Sequence, residues 1–425
     1  MNKKGFFRTV LDNGLTILLQ EQNIKSTSFG IGVRFGSIHH PAAHFLEHLL
    51  FKGTKTRTYK DINRQAVCRG GSLDAFTDFF STFYATKNLT DYAPEALELL
   101  CDMIANSTLP KTEINQEKMV INEETRMRAE EPESMLADAL YRNIYSDHPL
   151  GRDILDCERC LQTISYEELE GLYRRFYTPQ GIIIIGVGQI NKEVVLNTVR
   201  KYFKDVSKTG QSLIVFPFPS EESLPLAKRI VIPKMTKQVH LMIGFKAVPY
   251  AHPDYYPLRV LSAIMGENIN SRLYEKTREK QGLVYNISSH YDILRSSWRS
   301  TLRTDCSFWH GILRIYSRFT PRNLLRVQEI IKNELQNFSQ SEVSQEELTI
   351  NQQKLVGEHK LALMGTFRYM HLLFAAEINN DIDNFENFSD EILNVTPADV
   401  LRVSQQYCHP NKAVWTIIKQ QKLVK

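Results

Sequence analysis

Long apolar runs are missing from this chain. No stretch of roughly eighteen apolar residues occurs, so nothing in it reads as a membrane-spanning helix. Cysteine is scarce as well: Cys68, Cys101, Cys157, Cys160, Cys306 and Cys408 are too few and too scattered to frame a disulfide-bonded domain, and a reducing compartment keeps them as thiols. Only Cys157 and Cys160 form a C-x-x-C pair, and a structural zinc ribbon needs a second one. Charge of one sign is lacking too. Lys and Arg number 52 against 48 Asp and Glu, and the net +4 is spread along the chain, which argues against nucleic acid as a partner. Arg8 and Asp12 interrupt the apolar stretch that a secretion signal would need, so a cytoplasmic location is expected.

What remains is the composition of a water-soluble globular protein, 42% hydrophobic and 24% charged, in a chain of 425 residues that is long enough for two domains. In "FGIGVRF" Phe29, Ile31, Val33 and Phe35 alternate with Gly30, Gly32 and Arg34, the period of a strand with one buried face. A helix follows, expected from near Pro41 to near Gly53. Thr58 and Asp61 resemble a capping box for a second helix that should stop at Gly70 and Gly71. Two strands are expected between Ser72 and Asn88, helices over Tyr92 to Ser107 and Thr112 to Glu130, and a buried strand in "GIIIIGVGQI".

The segment from Ser207 to Leu226 gathers Gly, Ser and three prolines. It divides the chain into a domain at 1–207, a linker at 208–226 and a companion domain at 227–425. Beyond it "VHLMIGF" alternates again and leads through a His-Pro step into "HPDYYPLRVLSAIMGE", echoing the strand, His-Pro, helix order of the first half. In this second copy Arg259 and Val260 stand where the first has Glu47 and His48, so only the first half can carry their chemistry. Long helical patterns from Asn323 to Phe338 and from Gln345 to about Asn379 read as scaffold.

That chemistry lies in "HFLEH". His44 and His48 are four apart, one helical turn, and can grip a single ion, while Glu47 faces the same point and is placed to act as a general base. H-x-x-E-H is the inverted zinc-peptidase order, and it implies one Zn²⁺ per chain with a third protein ligand. In "EKMVINEETRMRAEEPE" Glu117, Ile121 and Glu124 share one helical stripe, with Glu123 about 100° away. Glu124 is the expected third ligand, Glu117 the acid that orients a ligating histidine, and Glu123 the reserve choice. His40 also sits at helical spacing, but Pro41 places it outside the regular helix; it and His39 are expected at the surface.

With "DNGLTILLQE", "HFLEHLLFKGT", "GGSLDAFTDFFSTFY", "EKMVINEETRMRAEEPE" and "HPLGRDIL" in order, and "NINSRLYEKTREKQGLVYNISS" and "GILRIYSRFTPRN" later, the sequence resembles the pitrilysin family of zinc metallopeptidases, notably its short bacterial members and the mitochondrial processing peptidase. The resemblance implies an α+β fold: two similar domains, each a mostly antiparallel sheet with helices on one face, together forming half of a clamshell chamber. It implies His44, His48 and Glu124 as ligands and Glu47 as base. It also implies that Arg278 and Tyr285 contact substrate near the metal from the non-catalytic half, whereas the residues alone read as a solvated helix Arg and a core strand Tyr.

Peptide substrate is expected to lie extended along Asp74, Ala75 and Phe76. Relatives usually carry Asn where this chain has Asp74, which lacks an NH₂ to donate; Phe79 and Phe80, often polar in relatives, either narrow the cleft or pack in the core. One half-chamber implies a second chain, in a homodimer or in a heterodimer with a related subunit that matures a ribosomally made peptide. The alternative left open is a subunit without catalysis of its own.

Overall fold

The computed structural model describes residues 5–145, 148–152, 154–206, 228–248, 252–293, 311–378, 381–383 and 385–420; the expected linker, 208–226, lies outside them. Six strands make the first sheet: β1 (Phe6–Val10), β2 (Thr16–Glu21), β3 (Ser26–Val33), β4 (Ser72–Thr77), β5 (Thr82–Leu89) and β6 (Ile182–Gly188), in the order β1-β2-β6-β3-β5-β4. All its pairings are antiparallel except β2 with β6. The isoleucine run of β6 is buried throughout, as suits a central strand with both faces covered. The polar residues Ser72 and Asp74 mark β4 as an edge, and both are exposed. The second sheet comprises β7 (Lys228–Pro233), β8 (Val239–Ala247), β9 (Val284–Ile293), β10 (Gly311–Phe319) and β11 (Val414–Lys419), ordered β7-β11-β8-β10-β9.

On one face of the first sheet lie α1 (Ala43–Leu50), α2 (Tyr59–Val67), α3 (Ala93–Asn106) and α4 (Ile114–Glu130), the first and third packing Phe45, Leu46, Leu97 and Leu100 into the core with Ile31 and Val33. Thr58 and Asp61 form the expected capping box at α2. The opposite face is closed from afar. A helix of the second half, Thr366–Ile378, lies across β3 and β6, while α5 (Pro132–Ile144) of the first half lies across β8 and β11 of the second sheet. Leu18, Ile185, Leu140, Met242, Phe374 and Ile418 therefore belong to one core shared by both halves. A bidentate ion pair from Arg8 of β1 to the buried Glu377 ties the crossing helix down, at 2.7 and 2.9 Å.

Two expectations change here. The Gly face of β3 is covered, not open: the ring of Phe374 rests where a Gly32 side chain would be, and that of Phe83 does the same at Gly30. The pattern from Gln345 to Asn379 is not one helix but two, Gln345–Met364 and Thr366–Ile378, parting at Gly365, which lets the second cross to the other sheet. It is thus more than scaffold for its own half. Among the described residues no helix is long and apolar enough to cross a membrane.

Candidate metal centre

Helix α1 is anchored by Phe45, Leu46, Leu49 and Leu50, all fully buried, which leaves His44, Glu47 and His48 turned toward α4. Its carboxyl end is held through the following turn. There Asp102 of α3, 1% exposed, accepts hydrogen bonds from the Thr54 hydroxyl and the Arg57 guanidinium, both at 2.6 Å.

His44 Nε2 and His48 Nε2 lie 3.2 Å apart, and Glu124 Oε2 of α4 stands 3.8 Å from the first and 3.6 Å from the second. Four-coordinate zinc with bonds near 2.1 Å sets its ligand atoms about 3.4 Å apart, so these separations match such a site. This trio is the metal-competent group of His, Cys, Asp and Glu found among the described residues. Three protein ligands leave one position open, the pattern of catalytic zinc sites. His48 donates from Nδ1 to Glu117 Oε2 at 3.1 Å, which frees Nε2 for an ion; Glu117, 2% exposed, is held in turn by Lys52 Nζ at 2.6 Å. Burial, with the neighbouring His48 ring and Arg128, lowers the His44 pKa to about 4, so the ring is neutral and able to ligate.

Glu123 takes no part, being paired with Arg126 on the exposed side of α4. His39 and His40 lie outside the trio, but neither is freely exposed as expected. His39 packs against Phe35 and Phe176 and accepts from the Gly36 N–H, while His40 faces Glu168 at 3.4 Å.

Glu47 is buried beside the trio, and its Oε2 accepts from the Thr77 hydroxyl at 2.6 Å. Burial pushes its carboxyl pKa up to about 8; the Thr77 bond opposes this, and the charges of Glu124 and Asp74 add to it. Thr77 ends β4, so the acid is tied directly to the edge strand. Along that strand Asp74 points to solvent and accepts from the N–H of Ala75, Ala75 packs toward the core beside α1, and Phe76 packs on Phe83 and His371. Phe79 and Phe80 join the shared core, which resolves their two expected placements in favour of packing.

Arg278 and Tyr285 meet each other, 5.8 Å from guanidinium carbon to ring centre, but no hydrogen bond or ion pair links either to the metal trio. Arg278 is exposed on a π-helical turn, Glu275–Glu279, and Tyr285 is 62% exposed, not a core residue.

The insulinase model of peptidase family M16 matches residues 16–158, and the model of the M16 inactive domain matches 163–355. The chain belongs to peptidase family M16. An uncharacterized zinc protease of Bacillus subtilis is 29% identical to this M16 chain over 365 residues, 84% of the chain and 85% of the relative. One of Streptomyces coelicolor is 26% identical, covering 94% and 86%. The fold is that of a Helicobacter pylori protease (TM-score 0.88, 22% identity, 97% and 99% covered) and of an M16 inactive domain from Pseudomonas fluorescens (TM-score 0.82, 16% identity, 99% and 100% covered). Two functional contacts in the M16 chain carried no signal in the sequence reading. Lys52 and Thr77 reach Glu117 and Glu47 only through tertiary folding, although each lies inside a quoted motif.

Proposed function

We propose that the chain is a zinc-dependent endopeptidase acting on extended peptides. The observation that carries this is the open three-ligand trio with a buried carboxyl beside it, tied by Thr77 to an edge strand. Among the described residues no strand pairs with the outer edge of β4, so an extended peptide can add there through its backbone, along Asp74, Ala75 and Phe76. His44, His48 and Glu124 would hold the ion, with Glu117 orienting His48. When bound, zinc supplies Lewis-acid polarisation of a carbonyl and acidifies water to near neutrality. Glu47 takes the proton of the attacking water and returns it to the leaving amine nitrogen. Thr77 holds Oε2 of that carboxylate, leaving Oε1 as the proton-carrying atom.

Arg278 and Tyr285 lie with the second sheet, out of contact with the trio of their own chain, and they would serve the trio of a facing subunit. A homodimer completes two such sites from identical parts.

The deciding experiment incubates the zinc-loaded chain with a mixed peptide pool, read by mass spectrometry, with light scattering on the same sample. Fragments that vanish with a chelator and return with zinc are expected from a dimer. Zinc-bound protein that yields no fragments would leave a binding subunit instead, and a strict monomer at micromolar concentration would sink the homodimer. Within this reading Thr77→Val should lower kcat about 10- to 100-fold, the worth of a hydrogen bond to a charged group, while zinc content and KM stay put. Thr77→Ser, which keeps the hydroxyl, should recover most of the rate; a Val variant of undiminished kcat would deny Thr77 its positioning role.

A further inference from the structure

The peptidase reading gives a role to Arg278 and Tyr285 on the second sheet but leaves their neighbour Arg318 unused. Strand β10 pairs with β9 as Arg318 with Asn286 and Phe319 with Val284, so Tyr285 is the extra residue of a β-bulge on the edge strand. Bulges re-aim side chains, and this one turns a tyrosine ring out to solvent. Arg318 then stacks on that ring, its guanidinium carbon 4.3 Å from the ring centre, while Arg278 approaches the same ring at 5.8 Å.

Several neighbouring cations are paired. Beside Arg278, Arg272 pairs with Glu347, Lys276 with Glu334 and Lys280 with Glu275; on β10 itself, Arg314 pairs with Glu133. Among the described residues Arg278 and Arg318 have no carboxylate within 4.0 Å, and Arg318 Nε is buried with no hydrogen-bond partner. A guanidinium stacked on an aromatic ring keeps its in-plane N–H fork available, and that fork matches a carboxylate.

We propose that Arg318, with Arg278 and Tyr285, forms a carboxylate-receiving subsite that takes an acidic side chain or the terminal carboxylate of a bound peptide. The subsite rests on the peptidase reading for its ligand class, but its test does not need turnover.

Amino-terminally labelled peptides are titrated by fluorescence anisotropy into the zinc-loaded Glu47→Gln chain. One set exchanges Glu for Gln at successive positions, and the other compares a free carboxyl terminus with its amide. One comparison should show about tenfold tighter binding of the carboxylate form, and it identifies the source. Arg318→Gln should bring that ratio to within about twofold, and Arg318→Lys, which keeps the charge but not the fork, should leave an intermediate ratio. Arg322→Gln, an exposed change just past the strand, should preserve it. Equal binding in both comparisons, or a ratio that survives Arg318→Gln, overturns the subsite. A chain that cleaves without discriminating keeps the peptidase reading and loses the subsite; one that discriminates without cleaving does the reverse.

Discussion

In the proposed peptidase, Glu47→Gln should lower peptide cleavage by the zinc-loaded chain about 10²- to 10⁴-fold, the range for loss of a positioned general base. Gln fills the same space and can still accept from the Thr77 hydroxyl, but it cannot take up a proton. Zinc content and KM should therefore stay near their parent values while kcat falls; a variant that cleaves at the parent rate would remove Glu47 from the reaction.

The same substitution has a second readout in the metal-free chain. Burial raises the Glu47 pKa from 4.5 to about 8, so the folded chain holds this proton more tightly than the unfolded one. Stability then falls as pH rises from about 4.5 through about 8. Metal-free Glu47→Gln has no such proton to lose. It should melt above the metal-free parent at pH 8, with the difference shrinking toward pH 5, and bound zinc should narrow it by favouring the carboxylate. Parallel melting curves at both pH values would contradict the buried-acid account.

Gly32→Ala should destabilise the fold by about 3 kcal/mol, the upper part of the overpacking range. An added Cβ would meet Phe374 Cε2 at 1.9 Å, and that ring, fully buried between the two halves, has nowhere to move. Phe374→Leu removes the clashing ring edge at its own smaller cost. The double variant should accordingly melt above Gly32→Ala alone, a non-additive rescue that calorimetry can read. If Gly32→Ala melts with the parent, the helix Thr366–Ile378 is not clamped on β3 in solution.

Local periodicity carried much of this architecture. The one-turn spacing of His44 and His48 and the seven-residue offset of Glu117 and Glu124 fix which atoms can face one another, and the folded helices bring them there. Capping at Thr58 and the buried run at β6 were legible for the same reason. What stayed hidden depends on contacts distant in sequence. Glycines at 30 and 32 read as the open face of a strand because the aromatic rings covering them come from β5 and from residue 374. Arg318 gave no sign because its meeting with Tyr285 depends on a bulge that shifts the register by one residue. His39 looked like a surface residue because one of the rings that cover it, Phe176, lies far along the chain.

The exchange of α5 and the helix Thr366–Ile378 has a consequence for ancestry and for opening. Each half has given away the lid its own sheet needs and wears the other's, so neither can be inherited, excised or replaced alone without stripping both. Two halves that share one buried core in this manner resist hinging against each other. In the proposed dimer, admission of a peptide would then be governed at the contact between subunits and not within one chain.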